Sequence, residues 1–159
     1  MSLCALRALQ NKLLTCDTLV SIGVITQNQC VLCESGMENR DHLFFDCPFS
    51  SYIWALCRLK LGMPGAAKHT LLEEASDIQN VFKGRSRQSA LARTVFRAVV
   101  WHLWRERNSR VFHQQVTHKV VCLESFMRMC IYCCSFAIGH LNQIKIFCVT
   151  GARLGKACI

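Results

Sequence analysis

The stretch Cys30-Val-Leu-Cys33-Glu-Ser-Gly-Met-Glu-Asn-Arg-Asp-His42-Leu-Phe-Phe-Asp-Cys47-Pro48 decides how this chain of 159 residues is read. Its spacing is Cys-x2-Cys-x8-His-x4-Cys. A Cys-x2-Cys pair at a tight turn lets two thiolates reach one metal while nearby amide hydrogens point at the sulfurs. His42 and Cys47 lie at a separation that one helical turn or a tight loop closes. Three thiolates and one imidazole make the closed tetrahedral set of a structural zinc site, with no coordination position left for catalysis. Residues 24–47 also hold the turn-formers Asn28, Ser35, Gly36 and Asn39. A loop this polar gains its order from the metal, because binding energy becomes folding energy. The expectation is therefore a knuckle over 30–47 in which Cys30, Cys33, His42 and Cys47 hold Zn2+.

Outward from the knuckle the pattern is helical. Upstream, Leu3, Leu6, Leu9 and Leu13 recur at helical spacing and predict a first amphipathic helix that stops near Thr15. Thr15 is placed to cap a second, short helix through Leu19 and Ile22, closed by Gly23. Downstream, Pro48 sits at a first helical turn, where a missing amide hydrogen does no harm. That helix carries Phe49, Ile53, Leu56 and Leu61 roughly along one side and ends at Gly62 and Pro64. Thr70 and Glu73 form a capping box for a helix through about Phe82. After the basic turn Lys83-Gly-Arg-Ser-Arg87, the longest helix runs over 89–108, with Ala92, Phe96, Val99, Val100 and Leu103 in one apolar stripe. A further helix is expected around Val120 to Cys134. The segment with Ile144, Ile146, Phe147 and Val149 reads as strand or frayed tail. The fold class is mainly α: a small helical domain with an irregular Cys3His zinc knuckle between helices.

Composition agrees. Hydrophobic residues make up 52%, enough for a packed core, and only two prolines are present. Twelve cysteines follow a start with no basic region ahead of an apolar one, so a secretory leader is not expected. Reduced thiols in an intracellular compartment are the consequence, and most of the twelve then act as small hydrophobes. The longest apolar stretch, near 129–139, is short of the ~20 residues a membrane-spanning helix needs, so no membrane partner is expected.

The formal charge of +9 is concentrated. Residues 83–119 carry nine Lys/Arg against the single Glu106. Such a footprint suits a polyanion such as RNA or DNA. Arg93, Arg97, Trp101, Trp104 and Arg105 share a flank of the long helix, and Arg107 and Arg110 follow. The candidate nucleic-acid contacts are Arg93, Arg97, Trp101, Arg105, Arg107 and Arg110, with guanidinium groups on phosphates and an indole on a base. The alternative is a solvated helix face with arginine stems lying over a packed ring. Trp104, nearer the apolar stripe, takes that second reading, and Trp101 fits both.

The block Arg40-Asp-His-Leu-Phe-Phe-Asp-Cys-Pro-Phe-Ser-Ser-Tyr-Ile-Trp54, with Cys30-Val-Leu-Cys33 before it, closely resembles the zinc-binding domain of plant non-LTR (LINE-type) retrotransposon reverse transcriptases. Asn11-Lys-Leu-Leu-Thr-Cys-Asp-Thr-Leu-Val-Ser-Ile-Gly23 resembles that family's lead-in. Trp101-His-Leu-Trp-Arg-Glu-Arg-Asn-Ser-Arg-Val-Phe112 resembles its downstream segment. The likeness runs over roughly 3–112 and implies Cys30, Cys33, His42 and Cys47 as ligands in a domain that lies C-terminal to a reverse transcriptase. Residues 1–112 are thus expected to be the zinc-binding domain and 113–159 a divergent Cys-rich tail. That tail has Glu124 as its one acidic residue, so it lacks the converging carboxylates of a two-metal nuclease or polymerase.

Other constellations are weaker. Cys130, Cys133, Cys134, His140 and Cys148 would make a second metal site, but an apolar run around them favours burial. His113, His118 and Cys122 scatter around a helix and read as incidental. The sequence thus points to a zinc-binding accessory domain, without catalysis of its own, that contacts RNA or DNA backbone and possesses a reverse transcriptase polypeptide as a second candidate partner. The alternatives are a zinc-stabilised protein-interaction module and a non-functional remnant of a retroelement.

Overall fold

A computed structural model describes residues 3–113. Among them every regular element is helical, in the order α1 (Leu3–Leu9), α2 (Cys16–Ser21), a single π-helical turn (His42–Asp46), α3 (Pro48–Leu61), α4 (Leu71–Val81) and α5 (Arg87–His113). The helix expected at 120–134, the strand or tail beyond it, the Cys130–Cys148 group and the 113–159 boundary lie outside the described residues. No described helix is long and apolar enough to cross a membrane.

The helix ends follow local chemistry. Pro48 occupies the first turn of α3, and Gly62 closes it at φ +66, where an L side chain would be strained. Gly23 does the same after α2, its amide donating to the Val20 carbonyl. The Thr70 hydroxyl accepts from the Glu73 amide at 3.2 Å and starts α4. Thr15 stands at the cap position of α2, yet its hydroxyl bonds the Asp17 carboxylate instead of a free amide.

Packing departs from the expected stripes in two helices, α1 and α3. In α1 the buried residues are Ala5 and Ala8, while Leu3 is exposed. Alanine lets α1 lie close on α5, against which it packs. In α3 the inward side is Phe49, Ile53, Trp54, Cys57 and Leu61, and Leu56 is only half-buried. α5 is longer than the expected 89–108. The Ser86 hydroxyl accepts from the Ser89 amide at 3.1 Å and caps its start, and the Glu106–Arg110 pair at 2.9 Å supports its last turns. Its expected stripe of Ala92, Phe96, Val99, Val100 and Leu103 is fully buried.

Trp54 is the centre of the core, 0% exposed, with Phe45 and Phe96 edge-on at 5.9 and 6.0 Å between ring centroids. Each of the three aromatics comes from a different element (the π turn, α3 and α5), so one aromatic cluster locks the knuckle to both long helices.

Two carboxylates are fully buried. Glu74 of α4 pairs with Arg58 of α3, which also reaches Asp77 at 3.1 Å and the Pro64 carbonyl at 2.8 Å. Glu38, between the second and third cysteine–histidine donors in sequence, accepts from Arg107 Nη2 at 2.9 Å, Arg107 Nε at 3.1 Å and the Cys16 amide at 2.9 Å. This carboxylate joins α2, the knuckle loop and α5 at one point. Removing it strands a guanidinium in the core, so Glu38→Ala should lower unfolding free energy in urea by about 3–5 kcal/mol. The paired change Glu38→Met with Arg107→Met should recover most of that loss, and equal losses in the single and paired variants would contradict the assignment.

Candidate metal centre

The four expected donors converge. The ligand atoms of Cys30, Cys33, His42 and Cys47 all lie within 4.8 Å of one another. Cys30 Sγ is 3.9 Å from Cys47 Sγ, and Cys33 Sγ is 3.3 Å from His42 Nε2. Cys30 and Cys47 are buried, while Cys33 and His42 are half-buried, so the group lies at the edge of the core. The 3.9 and 3.3 Å separations are close to those among ligands placed about 2.0–2.3 Å from one central ion.

Local backbone explains the convergence. The Cys30 carbonyl accepts from the Glu34 amide and the Cys30 amide donates to the Gly36 carbonyl, both at 2.8 Å, folding 30–36 into a tight loop. Glu34 takes the left-handed conformation at φ +58 within it. On the other side, the Asn39 side-chain oxygen accepts from the His42 amide at 2.8 Å and fixes the start of the π turn. Asp41 accepts from the Leu71 amide at 3.0 Å, tying that start to α4. The Cys47 amide then donates to the His42 carbonyl at 2.8 Å. One wide turn therefore presents imidazole and thiolate to the same point, the first of the two ways the spacing allowed.

Two of the three sulfurs, those of Cys33 and Cys47, are shifted toward the thiolate. Cys30 and Cys47 share a hydrogen bond that raises the Cys30 thiol and lowers the Cys47 thiol to about 6; the amides of Ser50 and Phe49, at the start of α3, add to the lowering. Burial works against the Cys33 thiolate, but the Ser35 hydroxyl and the amides of Ser35 and Gly36 outweigh it and lower that thiol too. Thiols lowered by amide hydrogens directed at their sulfurs, as at Cys33 and Cys47, suit a soft divalent cation.

A family model described as zinc-binding in reverse transcriptase matches residues 1–54. No curated protein and no solved structure matches the chain. The matched range contains all four donors and ends at Trp54, the centre of the core, so over its N-terminal third the chain is similar to a zinc-binding domain of reverse-transcriptase type. The donor set fits the metal that the family description carries, and zinc there would be held by Cys30, Cys33, His42 and Cys47.

The six arginine and tryptophan candidates divide. Trp101 is 37% exposed, Arg105 is exposed with its Cζ 4.8 Å from the Trp101 ring centroid, and Arg93 and Arg97 are half-exposed on the same flank. Arg107 turns inward instead, 2% exposed on Glu38, with its Cζ 5.1 Å from the Trp104 ring. Arg110 bonds Glu106 and the carbonyls of Val31 and Leu32 at 3.1 and 3.3 Å. Both guanidinium groups are committed to the fold. Lys83, Arg85 and Arg87, read from sequence as a linker-like turn, are exposed at the start of α5 and extend the basic flank. Burial, with Arg105 nearby, pushes the His102 imidazole down to about 4, so it adds no charge at neutral pH.

Gly36 was read only as a turn-former. A Cβ built on it would stand 2.5 Å from His42 Cε1 and 3.0 Å from Nε2, so the bare α-carbon is what lets the ring lie across the loop. Gly36→Ala should push His42 off the site and weaken zinc binding by about tenfold or more in chelator competition. Unchanged affinity would show that His42 is not held there.

Proposed function

We propose that the chain is a zinc-binding accessory domain that holds RNA or DNA backbone on the exposed flank of α5, as part of or beside a reverse transcriptase polypeptide of the plant non-LTR retrotransposon type. Zinc orders the knuckle, and the domain performs no catalysis of its own. Reduced cysteines in a metal-binding group suit an intracellular, reducing compartment.

The observation that carries this reading is the division of the basic residues. With Arg107 and Arg110 turned inward, Lys83, Arg85, Arg87, Arg93, Arg97 and Arg105 remain outward over one helix and the turn before it. Cations spaced along a rod suit a phosphate backbone, and contacts to phosphates position a strand without reading its sequence. Trp101 offers an exposed indole among them, with Arg105 over its ring, as a stacking surface for a single-stranded base.

A protein partner is the second reading. Val24, Ile25, Val31 and Val111 line an open groove beside the knuckle, and Ile22 and Phe112 are exposed. This apolar surface lies where α5 meets the loop, a position suited to docking on a polymerase.

Fluorescence anisotropy with a single-stranded RNA oligonucleotide separates the two. Backbone binding predicts that log affinity falls with log salt by about 0.7 for each phosphate contact on a single strand. Reversing Arg93, Arg97 and Arg105 to Glu should abolish binding while leaving the zinc content at one per chain. Flat affinity between low and moderate salt, or full binding by the triple variant, would overturn the nucleic-acid reading in favour of the second.

A further inference from the structure

The Cys30-Val31-Leu32-Cys33 turn has two faces. On one, the amide hydrogens of Leu32 and Cys33 point at the Cys30 sulfur. On the other, the carbonyls of Val31 and Leu32 both accept from Arg110 Nη1, at 3.1 and 3.3 Å. These four groups belong to only two peptide units, Val31–Leu32 and Leu32–Cys33. A trans peptide is planar, with its carbonyl and amide hydrogen directed oppositely, so fixing one end aims the other.

We propose that Arg110 is a positioning residue of the metal centre: its guanidinium, seated behind these two peptides, holds the Leu32 and Cys33 amide hydrogens on the Cys30 sulfur. The inference rests on the reading of Cys30 as a metal ligand.

Arg110 is built for this. Glu106, one helical turn earlier, accepts from its Nε at 2.9 Å and sets the orientation of the guanidinium plane. The Phe49 ring lies beneath it, 4.9 Å from Cζ to centroid. Phe49 stands two residues after Cys47, and its amide is among those facing the Cys47 sulfur. One arginine thus touches the backbone of the first cysteine pair and a side chain next to the last ligand. A cation on the carbonyl side also polarises each peptide, strengthening its amide as a donor to a thiolate. A metal–thiolate site depends on such outer contacts, whose loss typically weakens metal binding about 10–100-fold.

The test is a zinc competition titration against a chromophoric chelator, with the thiolate-to-metal absorption of the Co2+ form as a second readout. Arg110→Met keeps much of the stem over Phe49 and removes the donors. It should weaken zinc binding about 10–100-fold and shift the Co2+ band. Arg110→Lys keeps the charge with a single-point donor and should fall between Met and wild type. If Arg110→Met does not fold, the Lys variant carries the test alone, and a few-fold loss of affinity supports the proposal. Ile78→Ala, in the α4 core, serves as the control: it should lose stability in urea with zinc affinity and band unchanged. Wild-type affinity and band in both Arg110 variants would overturn the proposal, as would an equal loss in Ile78→Ala. A wild-type chain that takes up no zinc would instead overturn the metal reading itself.

Discussion

Three sulfurs and one imidazole nitrogen must meet within 4.8 Å, and the rest of the structure is arranged around that constraint. Two of the donors come from a loop without regular structure, and two from the ends of a single π turn. The π turn is anchored in the core by Leu43, Phe44 and Phe45, and the loop by Leu32. Backbone bonds shape each half: the Glu34 and Gly36 bonds on one side, and the Asn39 cap on the other. A central ion would bind the halves to each other, and the lowered Cys33 and Cys47 thiols suit it.

The knuckle is also fastened from outside, by a helix that begins 40 residues after Cys47. α5 sends Arg107 to Glu38 and Arg110 to the carbonyls of the cysteine turn, while Phe96 closes the aromatic cluster on Trp54. Two of its basic residues thereby serve the fold, and the remaining basic flank faces outward on the same rigid element. Metal centre and basic face are consequently parts of one mechanical unit. A change in the knuckle is felt at the helix through short, directional contacts, several of them with charged groups in a poorly solvated setting.

The convergence of Cys30, Cys33, His42 and Cys47 was legible in the sequence because cysteine and histidine at ligand spacing are chemically distinctive. The helix ends at Pro48, Gly62, Gly23 and Thr70 were legible because each depends on a local backbone preference. The apolar stripe of α5 followed from its period. The inward roles of Arg107 and Arg110 were hidden. Their partners lie 69 residues away at Glu38 and 79 away at Val31, and charge alone does not reveal whether an arginine faces water or a buried carboxylate. The buried Glu38 and Glu74 escaped for the same reason. Ala5 and Ala8 were passed over in favour of the larger leucines, since close helix approach rewards small side chains that a hydrophobic pattern ranks low. Gly36 was noted as a turn residue, but its contact with His42 is a steric fact of the folded loop.

Native mass spectrometry of the whole chain, with and without a zinc chelator, tests the central claim most directly. It reads metal stoichiometry from mass and compactness from the charge-state distribution in the same spectrum. One zinc per chain in a compact, low-charge population, with both lost together on chelation, is the result the account predicts. A metal-free chain that stays equally compact would contradict it.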